Sequence, residues 1–125
     1  MGLKYRWMQK KDLAKIKNKK EILALLDNSK IIANVVESNE EVLGWIVYKS
    51  LEKKVKIAKI SFTNEEIADE ILDYLINKNL EKQIEVVVSE YDLKFQLILK
   101  SNNFTATKIK KIQNSDFYIF VKEKK

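Results

Sequence analysis

The side chains most able to act on a charged ligand lie in residues 63–70, Thr-Asn-Glu-Glu-Ile-Ala-Asp-Glu, where a predicted strand passes into a predicted helix. Thr63 and Glu66 have the spacing of a capping box, in which each side chain accepts a hydrogen bond from a backbone N–H group at the helix start. Five carboxylates and no basic residue occur between Ile60 and Asn77. Because free N–H groups and positive potential attract anions to a helix start, a self-capped acidic start should repel a phosphate.

The chain contains neither cysteine nor histidine, and this limits the chemistry that it can perform. Thiolate nucleophiles, disulfides, zinc sites with nitrogen or sulfur ligands and histidine general bases are excluded. Any proton acceptor must be Asp, Glu, Lys, Tyr, a chain terminus or water, and we expect no metal.

Length and composition predict one domain over residues 1–125. A chain of 125 residues with 46% hydrophobic content is long enough for a core and short for two domains. No apolar run approaches the roughly 20 residues that cross a bilayer, and the N-terminus lacks the apolar stretch of a secretory signal. We therefore expect a cytoplasmic protein with no membrane contact, and the oligomeric state stays open.

The formal net charge of +6 suggests an acidic partner such as nucleic acid. Of the 24 basic residues, only Arg6 is an arginine. Planar bidentate reading of phosphates and bases favours arginine over lysine, so nucleic acid is not the expected partner. A basic, non-enzymatic module that binds nucleic acid or an acidic partner remains an alternative.

Hydrophobic periodicity predicts a short strand over residues 4–8, followed by two short helices. In the first helix, over residues 11–17, Leu13 and Ile16 face inward. The second helix covers residues 20–27, and its predicted apolar face consists of Ile22, Leu23, Leu25 and Leu26.

The middle of the chain predicts three strands. Residues 31–37 and 42–48 are β-branched runs joined by the turn-forming sequence Ser-Asn-Glu-Glu, which indicates an antiparallel hairpin. The alternation of apolar residues changes phase within residues 54–62. A β-bulge near residues 58–59 would explain that change.

The C-terminal half begins with the clearest amphipathic pattern, which predicts a helix over residues 64–77. Residues 84–89 form a nearly continuous apolar run, typical of a central strand covered on both faces. Residues 91–99 alternate like a strand but break the pattern once, so periodicity alone leaves them open. Residues 106–112 and 117–121 predict a terminal hairpin.

The order of these elements resembles that of the GNAT N-acetyltransferases, and local strings support the resemblance. Arg6-Trp7-Met8 followed by Asp12-Leu13 is similar to the opening of the branch that acetylates ribosomal-protein N-termini. Residues 42–48 resemble a family strand in which glycine precedes an aromatic residue, and residues 88–107 resemble its strand, Asn-containing helix and Gly-Phe-x-Ala-Thr return. The resemblance implies a helix over residues 91–102. It also implies an α/β (α+β) fold with a mixed, mostly antiparallel sheet, one splayed parallel strand pair and about four flanking helices.

The resemblance implies acetyl-CoA as cofactor and an amine as acceptor. In the family, a glycine-rich loop after the bulged strand presents backbone N–H groups to the coenzyme pyrophosphate. Residues 65–68, Glu-Glu-Ile-Ala, align with the end of that motif, and no glycine remains. By resemblance, the cofactor-binding positions are Ile60, Ser61, Phe62, Thr63, Ile67, Ala68 and Asp92.

The family's acid and base are also replaced. Its glutamate base aligns with Val87, and Glu85 has the same side-chain parity two residues earlier. Its tyrosine acid aligns with Leu99, which cannot donate a proton. Asp92 stands where an asparagine usually contacts the pantetheine arm of the coenzyme. The candidate replacement groups are Glu85 and Tyr91, with Glu90 and Tyr118 as further ones.

Three functions follow from these features. The first is a divergent GNAT-fold protein in which acetyl-CoA binding and catalysis are weakened or lost. The second is an active N-acetyltransferase that binds acyl-CoA and an amine acceptor through backbone donors of the bulged strand. The third is the basic binding module described above.

Overall fold

The computed structural model describes residues 2–16, 20, 22–23 and 30–124. It contains a seven-stranded sheet in the order β1-β2-β3-β4-β5-β7-β6. The strands are β1 (Lys4–Trp7), β2 (Ile31–Ser38), β3 (Glu41–Ser50), β4 (Lys54–Phe62), β5 (Gln83–Ser89), β6 (Thr105–Ile112) and β7 (Ser115–Lys122), and the helices are α1 (Lys10–Leu13), α2 (Glu65–Lys78) and α3 (Leu93–Ser101). Only β4 and β5 pair in parallel. The predicted fold class, with its mostly antiparallel sheet, is confirmed.

Helices α2 and α3 cover one face of the sheet, which we call the helical face. Ile67, Ile71 and Leu75 of α2 are buried in one core cluster with Ile84 and Val86 of β5. The amphipathic pattern predicted for α2 is therefore confirmed, because its apolar residues recur at helical spacing toward the strands.

The opposite face, which carries Glu85 and Val87 of β5, we call the open face. A smaller cluster forms there around Ile22, Ala33 and Val47. Half-buried side chains pack against that cluster: Met8, Leu13, Ile16, Ile31 and Trp45. Segment α1 and Ile22 thus cover part of β2 and β3 on the side away from α2.

The two N-terminal helices differ from their predicted extents. Helix α1 ends at Leu13, although Leu13 and Ile16 are half-buried as expected. Lys20, Ile22 and Leu23 are helical, but Leu23 is 47% exposed, so the prediction that it lies on the buried face is wrong. Leu25 and Leu26 lie outside the described residues. No helix in the described part of the chain is long and apolar enough to span a membrane.

Both predicted hairpins form, with turns of only two residues. Asn39 and Glu40 have φ of 51° and 67°, and Gln113 and Asn114 have φ of 49° and 68°. Two successive residues with positive φ are typical of a type I′ turn, whose twist matches that of the strands. Strand pairing therefore continues to the residue on each side of the turn.

The predicted bulge lies in β4. Val47 pairs with Lys59 whereas Tyr48 pairs with Ile57, so Ala58 is the extra residue. Below the bulge, β4 pairs with β5 only as far as Ile57↔Val86. Both strands continue beyond that point without pairing to each other, which confirms the splayed parallel pair.

Strand β5 corrects one expectation. It is an interior strand as predicted, but its residues alternate between buried and more exposed. Ile84, Val86 and Val88 are buried on the helical face, whereas Val87 is 42% exposed on the open face. The prediction of cover on both faces is wrong, because valine favours a strand whether or not its outer face is packed.

Candidate functional site

Alternate residues of β4 point their backbone N–H and C=O groups into the gap between the splayed ends of β4 and β5. The amide of Thr63 donates to the carbonyl oxygen of Leu43 at 3.0 Å, which marks these two residues as a hydrogen-bonded pair. Such pairs alternate along an antiparallel ladder. Ser61 and Thr63 therefore direct their backbone groups toward β3, while Ile60 and Phe62 direct theirs toward the gap. Of the four predicted positions on this strand, the geometry brings Ile60 and Phe62 to the gap.

The start of α2 is capped, but not by the predicted residue. Asn64 is the N-cap, and its Oδ1 accepts a hydrogen bond from the amide of Ile67 at 3.0 Å. The amide of Ala68 donates to the backbone oxygen of Asn64 at 3.1 Å. The predicted capping box of Thr63 and Glu66 is wrong, because Thr63 is still hydrogen-bonded to β3 and the helix begins one residue later. The amides of Ile67 and Ala68, two of the predicted coenzyme donors, are both occupied.

The first turn of α2 also carries negative charge. Glu65 and Glu66 are exposed there, and Asp69 follows one turn later. A cavity of ≈ 280 Å³ lies between this part of α2 and α3, where Glu65 and Asp69 oppose Lys94. Carboxylates near a helix start are stabilised by the helix dipole, and they compete with any external anion for the same potential.

Asp92 also acts as a cap. Its Oδ1 accepts a hydrogen bond from the amide of Phe95 at 3.2 Å at the start of α3. The rings of Phe95 and Phe62 lie 6.1 Å apart, centroid to centroid, in a tilted arrangement. Because Phe62 ends β4 and Phe95 lies in the helix after β5, this contact crosses the gap between the two strands on the helical face.

Glu85 lies on the open face between two ammonium groups. Its carboxylate oxygens lie 3.9 Å from Nζ of Lys54 and 3.8 Å from Nζ of Lys56. Val87 follows it on the same face. The structure thus places Glu85 beside the aligned position of the family base, but in an ion-paired setting.

The other candidate groups do not converge on Glu85. Tyr91 is 77% exposed beyond the end of β5. Ser89 at that end lies four positions after Glu85, or about 13 Å along the strand. Glu90 accepts a hydrogen bond from the amide of Asp116 at 2.9 Å, and Tyr118 packs against the core. Leu99, at the aligned position of the family acid, is fully buried.

One polar network, formed by Arg6, Asp12 and Glu37, has no signature in the sequence. Arg6 donates two hydrogen bonds to Asp12, at 2.8 and 2.9 Å, and one to Glu37 at 3.0 Å. Asp12 also accepts from the amide of Gln9 at 2.7 Å. The hydrogen bonds that Arg6 donates to Asp12 hold the pKa of Asp12 below its usual range, and the same bonds raise the pKa of Arg6. Glu37 is distant in sequence, so no local motif reveals the network.

This network borders a cavity of ≈ 220 Å³ on the open face. Asp12, Lys15 and Ile16 form one wall, and Trp45 and Ser61 of the sheet lie opposite. Sequence spacing gave no signal for the cavity, because α1 is separated from β3 and β4 along the chain. Within the described residues, no group of three or more acidic side chains could hold a metal ion.

Comparison with solved structures identifies the fold. The chain is similar to the ribosomal-protein-S18-alanine N-acetyltransferase from Escherichia coli, with a TM-score of 0.80, 10% identity and coverage of 96% of this chain and 92% of that one. It is similar to a GNAT family acetyltransferase from Elizabethkingia anophelis with acetyl-CoA bound, with a TM-score of 0.79, 15% identity and coverage of 97% of each chain. The Campylobacter jejuni N-acetyltransferase PseH in complex with acetyl coenzyme A gives a TM-score of 0.74, 14% identity and coverage of 98% and 99%.

These similarities show that the chain has the fold of the GNAT N-acetyltransferases. The fold implied by the sequence resemblance is therefore confirmed. No protein-family model and no curated protein matches the sequence.

Proposed function

We propose that this protein is a GNAT-fold binding module in which acetyl-CoA binding is weakened and acetyl transfer is weakened or lost. The observation that carries the proposal is the start of α2. There, Asn64 occupies the amide of Ile67, and Glu65 and Glu66 supply negative charge. Free N–H donors and positive potential bind a diphosphate, so this helix start offers it a poorer site.

The electrostatic effect can be bounded. Two unit charges about 4 Å apart interact by about 1 kcal/mol in bulk water, and the value falls with distance and salt. Glu65 and Glu66 are exposed, so we assign them a combined effect of roughly 1 to 1.5 kcal/mol, or about tenfold in affinity. This effect weakens binding without abolishing it.

The aromatic contact and the aligned acid and base support the same proposal. Phe62 and Phe95 meet across the gap on the helical face, where the resemblance places the pantetheine arm. Leu99 is sealed in the core and Val87 has no titratable group. An amine that reached Glu85 would meet the ammonium groups of Lys54 and Lys56, which repel a protonated acceptor.

One observation favours the second function, an active acetyltransferase. Ile60 and Phe62 direct their backbone groups into the splayed gap, and backbone donors do not depend on side-chain identity. Positioning a thioester beside a neutral amine is sufficient for some transfer.

Calorimetric titration with acetyl-CoA tests the proposal. We expect binding by the natural sequence to saturate only well above micromolar acetyl-CoA, and we expect Glu65→Gln/Glu66→Gln to bind about tenfold more tightly. The matched control is Glu70→Gln/Asp73→Asn, which removes the same charge from exposed positions further along α2. Tight stoichiometric binding by the natural sequence would overturn the proposal, as would an equal gain in the control.

Acetyl transfer can be measured without background from the protein itself. Because the chain has no cysteine, a thiol reagent reports only free CoA released from acetyl-CoA in the presence of an acceptor peptide. Release above the rate without protein would support the second function, and its absence at millimolar acetyl-CoA would remove it.

A further inference from the structure

The open face contains a groove of ≈ 500 Å³ lined by strands from both halves of the sheet. Four lysines border it: Lys49, Lys54, Lys56 and Lys110. Among the lining residues that the structure describes, Glu85 is the one carboxylate, and Val87 and Ile119 supply apolar surface. The groove is therefore basic at its border and apolar at its base.

The lysines of the groove lie close to one another and repel each other. Lys49 lies directly opposite Lys56 on the neighbouring strand, and Lys56 lies opposite Glu85 on the next. Like charges directly opposite each other destabilise a sheet. Glu85 contacts both Lys54 and Lys56, so one carboxylate serves two ammonium groups. A bound anion would offset the remaining positive charge.

We propose that this groove binds an acidic polypeptide segment. Carboxylates of the segment would pair with the lysines, and its apolar side chains would pack on Val87 and Ile119. Peptide carboxylates suit the groove better than nucleic acid does. The described residues of the groove include no aromatic ring on which a base could stack, and Arg6, the sole arginine of the sequence, is engaged by Asp12 and Glu37.

The charge distribution of the molecule supports this assignment. Helix α2 on the opposite face carries five carboxylates against one lysine. Helix α3 on the same face adds Lys94 and Lys100, so the two helices together still carry two more carboxylates than ammonium groups. An acidic partner therefore favours the open face. The proposal concerns a different face from the coenzyme position, and it holds whether or not acetyl-CoA binds.

The test is fluorescence anisotropy with a labelled ten-residue peptide that carries six glutamates and a central pair of leucines. We expect Lys56→Gln/Lys110→Gln to weaken binding about fivefold to twentyfold at low salt, as expected when two partly exposed ion pairs are lost. The matched control, Lys4→Gln/Lys100→Gln, makes the same change in net charge at exposed positions outside the groove and should change binding less than twofold. Glu85→Gln should tighten binding by about threefold, because it removes the one negative charge of the groove.

Three results would overturn the proposal. The first is no binding of the peptide at low salt. The second is an equal loss in the groove variant and its control, which would show attraction by net charge alone. The third is tighter binding of a ten-nucleotide oligothymidylate, which would identify the groove as a nucleic-acid site. Far-UV circular dichroism confirms that each variant is folded before binding is compared.

Discussion

Replacing Arg6 by methionine should destabilise the protein by about 2 to 3 kcal/mol at pH 7. The substitution keeps an unbranched apolar stem but removes the guanidinium that bonds Asp12 and Glu37. Asp12 is only 6% exposed, so its carboxylate would stay buried without its main partner. Removing one partner of a fully buried ion pair costs about 3 to 5 kcal/mol. The estimate is lower because the Arg6 and Glu37 side chains keep 16% and 15% exposure.

The pH dependence separates this mechanism from simple loss of packing. Asp12 has a lowered pKa in the folded protein, so its pairing stabilises the fold above its ordinary pKa of about 4. That contribution is lost as the pH falls through the lowered folded pKa. The stability difference between the natural sequence and Arg6→Met should therefore be fully present at pH 7 and smaller below about pH 4, where Asp12 of the variant is protonated.

Urea unfolding monitored by far-UV circular dichroism, at pH 7 and pH 3, measures both effects. Lys4→Met, on the same strand but exposed, is the matched control and should change stability by less than about 0.5 kcal/mol. Arg6→Met/Asp12→Asn should recover part of the loss, because the neutral amide still accepts from the Gln9 amide. A cost below about 1 kcal/mol for Arg6→Met, or a difference that does not change with pH, would refute the reasoning.

Three further substitutions test the packing. Gly44→Ala should cost about 1 to 3 kcal/mol in urea unfolding, because its Cβ would lie 2.6 Å from the backbone oxygen of Ser61; full stability would contradict that contact. Leu99→Ala should cost about 2 to 5 kcal/mol, whereas Leu97→Ala, 64% exposed on the same helix, should cost under about 0.5 kcal/mol; equal costs would refute the burial of Leu99. Burial raises the pKa of Tyr5 to about 12. The natural sequence should therefore lose stability between about pH 10 and pH 12 more steeply than Tyr5→Phe does. An equal loss of stability in both proteins over this range would contradict the prediction.

Local patterns predicted the elements well wherever one physical signal dominated. The phase change in β4 predicted a bulge near residues 58–59, because side chains alternate across a strand and an extra residue inverts them, and the bulge lies at Ala58. The spacing of Ile67, Ile71 and Leu75 located α2 because its buried face repeats every turn. Residues 91–99 needed the resemblance, since a short amphipathic helix and a strand share too many apolar positions.

Errors arose where two signals competed at a boundary. Thr63 and Asn64 are both good N-cap residues, and only the hydrogen bond from Thr63 to Leu43 across the sheet decides between them. The Arg6 network was not predicted for a related reason, since Glu37 joins it through the pairing of β1 with β2. Such contacts depend on register, which a single sequence does not contain.

The departures from the pattern of the GNAT acetyltransferases differ in their effect: one leaves the backbone geometry unchanged, and others change charge and hydrogen-bond donors. Asn103 stands where the resemblance implies a glycine before Phe104. It adopts a φ of 68° after α3, a conformation that asparagine tolerates, so this departure keeps the backbone geometry. The residues at the start of α2 differ from the pattern in a way that would affect a bound ligand. Asn64 fills a donor position there, and Glu65 and Glu66 add charge. The backbone geometry at Asn103 is therefore kept, whereas the start of α2 carries negative charge where the resemblance places the coenzyme phosphates.

The resemblance thus implies two charge conflicts, one on each face of the sheet. Carboxylates lie at the start of α2, where the resemblance places the coenzyme phosphates, and lysines surround Glu85, which an acceptor amine would approach. Both ligands of the implied reaction would meet groups of their own charge. An acidic peptide on the open face meets the opposite charge instead. The two proposals thus share one physical basis, since the distribution that disfavours acetyl transfer is the one that favours an acidic partner.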